Sequence, residues 1–391
     1  MSMRRVVNIG LSLLSSVVFF GCSAASEPKS CDISGVSAAD CDSVHEMLLP
    51  DALPPSPGNR YADDEQAAHL GFSLFFDSNM GGGVSCATCH APELAFADHQ
   101  SVSMGKSLGN RNSPTTFNAA RLSVFFWDGR ADSLWSQPLF PIENPAEMAS
   151  SRLELSHFIA QKYKVAYESV FGPLPDMSSW PSSGMPGDPA FDGLTSDVQT
   201  QVNRVFANVG KSVDAYMRKN ATSGAPLDAF IKGDPSRLTT PQVRGLALFL
   251  SNQCQSCHSG PMFTDQGFHN EGFPSLTGAP PDTGREGALK VIQNNPFNLD
   301  GPYADTQPGF VKPSAPQINP TDAGAFRTPS LRNVSLTFPY GHDGALASLV
   351  DVLTVHAPSM STDDQNDLIA FLQTLKGTYP VPPWNNWPTP Q

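Results

Sequence analysis

The sequence predicts a mainly α-helical chain of two domains joined by long Pro/Gly-rich loops. Three observations predict it. Helix start and stop signals recur along the chain, one five-residue motif occurs twice at wide separation, and Gly plus Pro make 31 + 36 = 67 of the 391 residues, more than ordinary usage. Hydrophobic residues at 40% and charged residues at 16% exclude a disordered chain and suffice for a core. Lys+Arg is 24 and Asp+Glu is 37, a net charge of −13. That excludes a nucleic-acid binder, because phosphate recognition needs a basic face.

The chain begins with a processing signal. Arg4 and Arg5 precede an apolar run from Val6 to Phe20 and then Gly21-Cys22, the n-region and h-region of a secretory signal and too short for a comfortable membrane span. Residues 1–21 are therefore expected to be a signal peptide. Phe19-Phe20-Gly21-Cys22 is similar to a bacterial lipoprotein cleavage box, although Phe20 is unusual there. On that reading Cys22 becomes a lipidated N-terminus and the mature charge is 22 − 37 = −15; the alternative is an ordinary signal peptide cut nearby. Both send the protein to the periplasm or cell envelope, the first with a lipid anchor. Residues 22–60 are small, polar and Pro-rich and are expected to form a flexible tether. Cys31 and Cys41 within it are either a disulfide pair, in an oxidising compartment, or two free thiols.

The other four cysteines form Cys86-Ala-Thr-Cys89-His90 and Cys254-Gln-Ser-Cys257-His258. Each is C-x-x-C-H, the attachment signature of c-type haem. Two thiols add across the porphyrin vinyl groups, and the adjacent histidine comes under the iron as proximal ligand. Zinc is disfavoured because each motif carries its own histidine in an exported chain. A redox C-x-x-C needs no following histidine and usually opens a helix in a βαβ setting. Two covalent haem c groups are expected.

The motifs lie 254 − 86 = 168 residues apart, too far for one small cytochrome domain and right for two. Helices are expected from Asp64 to Phe76, towards the first motif, and from Val243 to Leu250, towards the second, the latter capped by Thr240-Pro241. Others are expected at 151–171 and 195–220. In the last helix Ser361 caps, Asp363 and Asp364 sit in the first turn, Leu368, Ile369, Phe371, Leu372 and Leu375 are apolar, and Gly377 stops it. Segments 173–194 and 269–325 read as Pro/Gly-rich loops. The fold class is thus mainly α, with two c-type cytochrome domains at 61–205 and 206–391.

The chain resembles the bacterial di-haem cytochrome c peroxidases and their relative MauG over about residues 61–380. The resemblance rests on Gly71-Phe-Ser-Leu-Phe-Phe-Asp77, Arg111-Asn-Ser-Pro-Thr115, Phe126-Trp-Asp-Gly-Arg-Ala-Asp132 and Pro141-Ile-Glu-Asn-Pro-Ala-Glu-Met148. It continues through Arg244-Gly-Leu-Ala-Leu-Phe249, Cys257-His-Ser-Gly-Pro261, Phe326-Arg-Thr-Pro-Ser-Leu-Arg-Asn333 and Pro339-Tyr-Gly-His-Asp-Gly344. It implies that the haem on His90 is peroxidatic and that the haem on His258 admits electrons. Trp127 matches the tryptophan between the haems. Glu147 and Gln137 match the distal acid and amide, and Pro141 a pocket-wall residue. A carboxylate in a partly dry pocket can take a proton from one peroxide oxygen and deliver it to the other. Asn112, Thr337 and Pro339 match calcium ligands at the domain interface, a set of hard oxygens that suits Ca²⁺.

Two positions depart from the family pattern. Classical members carry a histidine about sixteen residues after the first proximal histidine, which blocks the peroxidatic iron; here that position is Lys106, and His99 is out of register. The first haem is therefore expected to be open when fully oxidised, as in MauG. At the distal side of the second haem the family has Met or Tyr. Sixteen residues beyond Tyr340 stands His356, which makes a His258/His356 pair the expectation, with Met360 as the competitor. Its potential would be lower than that of a Met-ligated haem. His342 is expected beside the ligands rather than among them. His45, His69, His157 and His269 read as structural or surface residues.

The leading expectation is a di-haem peroxidase reducing hydrogen peroxide with electrons from a small cytochrome or copper protein. The rivals are a MauG-like oxidation of partner-protein side chains and a non-catalytic di-haem electron carrier. An acidic chain favours a basic docking patch on the donor. The resemblance also implies a homodimer as a possible assembly.

Overall fold

The computed structural model describes residues 33–306, 320–380 and 383–386. Residues 1–21 and Cys22, with the signal-peptide and lipidation expectations, lie outside the described residues, as does Cys31. Cys41 is disulfide-bonded.

The fold is mainly helical, and its two largest helix contacts repeat one device. The helix Glu65–Phe76 starts at Asp64, whose carboxylate accepts the Ala67 N–H at 2.8 Å, a side-chain N-cap. It lies against the 22-residue helix Ser196–Met217, capped by Thr195. They touch at Gly71, where a Cβ would fall 1.9 Å from the Ser212 carbonyl oxygen, so only glycine permits the approach. Thr240–Ser251 meets Thr362–Gln373 in the same way: a Cβ on Gly245 would fall 2.0 Å from the Asp367 carbonyl oxygen. Each helix pair sits in its own hydrophobic cluster. Leu70, Leu74, Phe75, Trp135, Phe206 and Tyr216 anchor the first, and Leu246, Phe249, Phe263, Leu368 and Phe371 the second. A two-stranded antiparallel ladder, Phe268–His269 with Phe326–Arg327, is the one sheet among the described residues.

The structure corrects several sequence expectations. The boundary at 205/206 falls inside the helix Ser196–Met217, which is continuous and packs on the first cluster to its end. Phe297, Tyr303 and Trp384 also join that cluster, so the C-terminal half crosses back onto the N-terminal one. The expected tether is not free along its second part. The helix Cys41–Glu46 buries Val44, Met47 packs beside it in the second cluster, and Asn59 is fully buried. Arg332 holds the Met47 end: its guanidinium makes a bidentate pair with Asp228 at 2.8 and 2.9 Å and donates to the Met47 carbonyl at 2.6 Å, while Asn59 donates to the Lys211 carbonyl and Asp214. The 269–325 segment contains the helix Arg285–Asn294, which buries Ala288, Leu289 and Ile292. Segment 173–194 contains the short helix Pro189–Asp192. The 151–171 helix breaks at Tyr163 into Arg152–Lys162 and Lys164–Phe171. Thr239, not Thr240, caps the Thr240–Ser251 helix, through a capping box with Gln242. The last helix ends at Gln373, before Gly377.

Candidate haem sites

Both C-x-x-C-H motifs form one tight turn followed by a histidine held from behind. At the first, Ser85 and Thr88 make a capping box for the turn Cys86–Cys89. His90 Nδ1 lies 3.2 Å from the Phe96 carbonyl oxygen and 3.2 Å from Ser113 Oγ. At the second, His258 Nδ1 lies 3.0 Å from the Phe263 carbonyl oxygen. A carbonyl can only accept, so each Nδ1 carries the proton and donates, and each Nε2 is left with its lone pair. Burial lowers the pKa of both histidines, which keeps the imidazoles neutral, the form that ligates a metal. All four thiols are unpaired. Burial pushes Cys86 up to about 12 and Cys89 up to about 11, the reverse of the depressed pKa of a redox C-x-x-C. Two thiols and a neutral imidazole with a bare Nε2 are the donor set that a covalent haem needs.

Glu147 lies beside the first motif, where its charge acts on both Cys86 and Cys89. Its Oε1 accepts from Asn144 Nδ2 at 2.6 Å. Burial raises its pKa, and the Arg130 guanidinium pulls it part of the way back. Arg130 is itself fixed: it stacks 3.5 Å from the centre of the Phe126 ring and pairs with Asp128 at 3.1 Å. Arg130 stands inside the string Phe126–Asp132, where sequence alone gives it no role. The signal there is the spacing that sets it next to Asp128. Pro141 is in the short helix Leu139–Glu143, and its carbonyl accepts the Met148 N–H at 3.1 Å, folding the Glu147 segment against that helix. Gln137 is half-buried just before the same helix; among the described residues no hydrogen bond joins its amide to Glu147.

Trp127 stands where the two halves of the chain meet. Its Nε1 donates to the Asn112 carbonyl at 2.9 Å, and its own carbonyl accepts the Arg327 N–H at 2.7 Å. The junction is clamped by charge. Arg111 holds Asp282 through two bonds of 2.8 Å and also pairs with Asp128. Arg285 donates to the carbonyls of Asp128 and Gly129. A cavity of about 580 Å³ opens here, lined by Arg111, Asp128, Asp282, His342 and Asp343 among others. His342 is buried and stacked on Phe326 at 3.9 Å.

Asn112, one of the three expected calcium ligands, reaches the chain three residues beyond Pro339. The Asn112 N–H donates to the His342 carbonyl and its Nδ2 to the Gln100 carbonyl, which leaves Oδ1 as the acceptor of that amide. His99 Nε2 contacts the Leu336 carbonyl at 2.9 Å, and its ring stacks on Phe338 at 4.1 Å, between Thr337 and Pro339 in sequence. His99 is therefore engaged at this junction. Lys106 donates through Nζ to the Gly82 carbonyl at 2.6 Å.

At the second motif, His356 is the last residue of the helix Leu349–His356. It acts electrostatically on His258 and faces Phe273 at 5.4 Å. Met360 is half-buried against the second hydrophobic cluster. Of the other histidines, His157 bonds the Pro181 carbonyl at 3.0 Å, His269 pairs with Asp265 at 2.9 Å, and His69 packs at a tilt on Trp384.

A helical fold carrying two such motifs, each with its histidine prepared for iron, is that of a di-haem c-type oxidoreductase. Comparison narrows the class. Residues 65–236 match the family described as di-haem cytochrome c peroxidase. The chain is 30% identical over 375 residues to the cytochrome c551 peroxidase of Pseudomonas aeruginosa, covering 90% of this chain and 93% of that one. It is 29% identical to the methylamine utilization protein MauG of Methylophilus methylotrophus, covering 84% and 87%. The crystal structure of the diheme peroxidase BthA from Burkholderia thailandensis shares the fold, with a TM-score of 0.61, 22% identity, and coverage of 85% and 94%. The chain belongs to the di-haem cytochrome c peroxidase family. It is a peroxidase-type oxidoreductase with two haem c groups.

Proposed function

We propose that this protein is an exported peroxidase, H₂O₂ + 2e⁻ + 2H⁺ → 2H₂O, working at an open site above His90. The observation that carries the reading is Glu147: a half-buried carboxylate of raised pKa beside the first motif. The haems, when bound, supply the redox equivalents and the iron that takes peroxide. The chain's own residues do the rest. Ionised Glu147 takes the proton from the near peroxide oxygen and gives it to the far one, which lets the O–O bond break. Asn144 and Arg130 hold the carboxylate in place, and Gln137 orients the peroxide. Trp127 relays electrons between the two sites, from the Asn112–Arg327 junction. His258 and His356 hold the second haem, and Asn112, Thr337 and Pro339 hold one Ca²⁺. A small cytochrome or copper protein with a basic patch is the donor. Export rests on Arg4, Arg5 and the apolar run that follows them, with Cys22 as lipid anchor in the periplasm or cell envelope.

Lys106 favours a second reading. With no histidine at that position, the site is charged by peroxide without prior reduction, as a MauG-like oxidation of a partner's side chains requires. A pure electron carrier has no use for Glu147. One experiment separates the gated from the open site: one equivalent of H₂O₂ added to the fully ferric, haem-loaded protein in a stopped-flow spectrometer. A rapid Soret change is expected. No change until one haem is reduced overturns the open-site reading.

A further inference from the structure

The rings that lead away from His90 form a connected path to the surface. The Phe75 ring centre is 6.4 Å from His90, Tyr216 is 5.2 Å from Phe75, and Trp384 is 6.2 Å from Tyr216. His69, exposed, lies 4.8 Å from Trp384. Phe72 makes a parallel branch, 5.2 Å from Tyr216 and 6.1 Å from Trp384. Phe75 and Tyr216 are fully buried, and Trp384 is nearly so. Three separate stretches of chain supply these rings: the helix Glu65–Phe76, the helix Ser196–Met217 and the C-terminal segment.

Packing asks only for apolar bulk, and Phe72, Phe75 and Phe76 supply it. The two rings beyond Phe75 are a phenol and an indole, the side chains that most readily give up one electron. Electron tunnelling falls steeply with distance, so oxidisable rings a few ångströms apart carry charge where a single long jump does not. Lys219 Nζ, paired with Glu65 at 2.6 Å, sits 5.4 Å from the Trp384 ring. Its charge disfavours a cation on the indole and promotes loss of the Nε1 proton on oxidation.

We propose that Tyr216 and Trp384 form a second electron-supply route to the His90 site, separate from Trp127, drawing on the protein surface beside His69 when the second haem has no electrons to give. The inference rests on the peroxidase reading. An electron leaves Tyr216 towards the His90 site and is replaced from Trp384. Without any external donor, Trp384 itself is the reductant: two electrons from it and two protons reduce one H₂O₂ to two waters. The oxidised indole takes one oxygen from water and returns two protons, so the sum is H₂O₂ + tryptophan → singly oxygenated tryptophan + H₂O.

The test treats donor-free, fully ferric, haem-loaded protein with a few equivalents of H₂O₂ in isotopically labelled water and maps oxygen gain by peptide mass spectrometry. Labelled oxygen on Trp384 is expected, and its loss in Tyr216→Phe, which keeps the ring packing. The Soret response of Tyr216→Phe to peroxide is expected to match the parent, which certifies its fold. Haem-loaded protein whose first haem is blocked with cyanide, given the same peroxide, is expected to stay unmodified at Trp384; equal modification there means direct chemical oxidation and overturns the route. If the parent's Soret band does not respond, the open-site reading fails and the route with it. If the band responds while Trp384 stays unmodified, or Tyr216→Phe is modified as fully as the parent, the route alone is overturned.

Discussion

Lys106 ties two loops together: its ammonium donates to the Gly82 carbonyl at 2.6 Å, while its backbone N–H donates to the Glu147 carbonyl at 2.9 Å. The position that would carry a blocking histidine thus holds the Glu147 segment, with its side chain committed to a backbone oxygen. Lys106→Ala is therefore expected to leave the ferric electronic spectrum of the haem-loaded protein unchanged and high-spin at the first site. A change of spin state on losing this side chain would make Lys106 a ligand.

On the proposed mechanism Glu147 sets the pH dependence. Proton uptake from peroxide needs its ionised form, and burial raises its pKa above the ordinary glutamate value. The rate of the peroxide reaction is therefore expected to rise with pH through an apparent pKa above the ordinary one. Glu147→Gln should lower that rate by about 10²–10⁴-fold and abolish the limb. Arg130→Met removes the charge that pulls the pKa down, so the same limb should move to higher pH. Stopped-flow rates across pH check both, and an unmoved limb in Arg130→Met would count against the coupling.

His356 and Met360 make opposite forecasts at the second haem. With the His258/His356 pair in place, that haem is low-spin. His356→Ala should convert it to high-spin in the ferric electron paramagnetic resonance spectrum, while Met360→Leu should not. The reverse pattern would move the ligand to Met360.

Asp214 gives the fold a pH-sensitive stability term. Fully buried, it accepts from Ser56 Oγ at 2.6 Å and Asn59 Nδ2 at 2.8 Å, and burial raises its pKa from 3.8 to about 6. A raised pKa means that the native state holds the proton more tightly than the unfolded one. Its stabilising effect is complete below about pH 4 and is lost as pH rises through about 6, a swing of roughly 3 kcal/mol. Asp214→Asn cannot ionise. Relative to the parent, its stability should climb between pH 4 and pH 6 and level off above. Denaturant melts at several pH values measure the difference, and a flat difference would show that Asp214 stays ionised.

The most legible parts of the chain were those where chemistry is local. C-x-x-C-H reads directly because two thiols and a histidine must stand at that spacing to bind one haem. Asp64, Ser151, Thr195 and Ser361 mark helix starts because a cap is a contact between near neighbours. The helix Arg285–Asn294 carries helical spacing at Ala288, Leu289 and Ile292 but was hidden by surroundings rich in Pro and Gly.

The sequence by itself determined the helical class, the haem attachment points and the chemical types available at the first site. Only the tertiary structure decided where the half-chains meet and what each side chain faces. It placed the 41–47 segment in the second cluster through Arg332 and Asp228, which are 104 positions apart. It also set Trp384 against Tyr216 and brought Arg130 within electrostatic reach of Glu147. The physical reason is the same in each case. A cap or a motif is satisfied within a few residues, whereas a desolvated charge, a ring stack or a shifted pKa depends on groups that only folding makes neighbours.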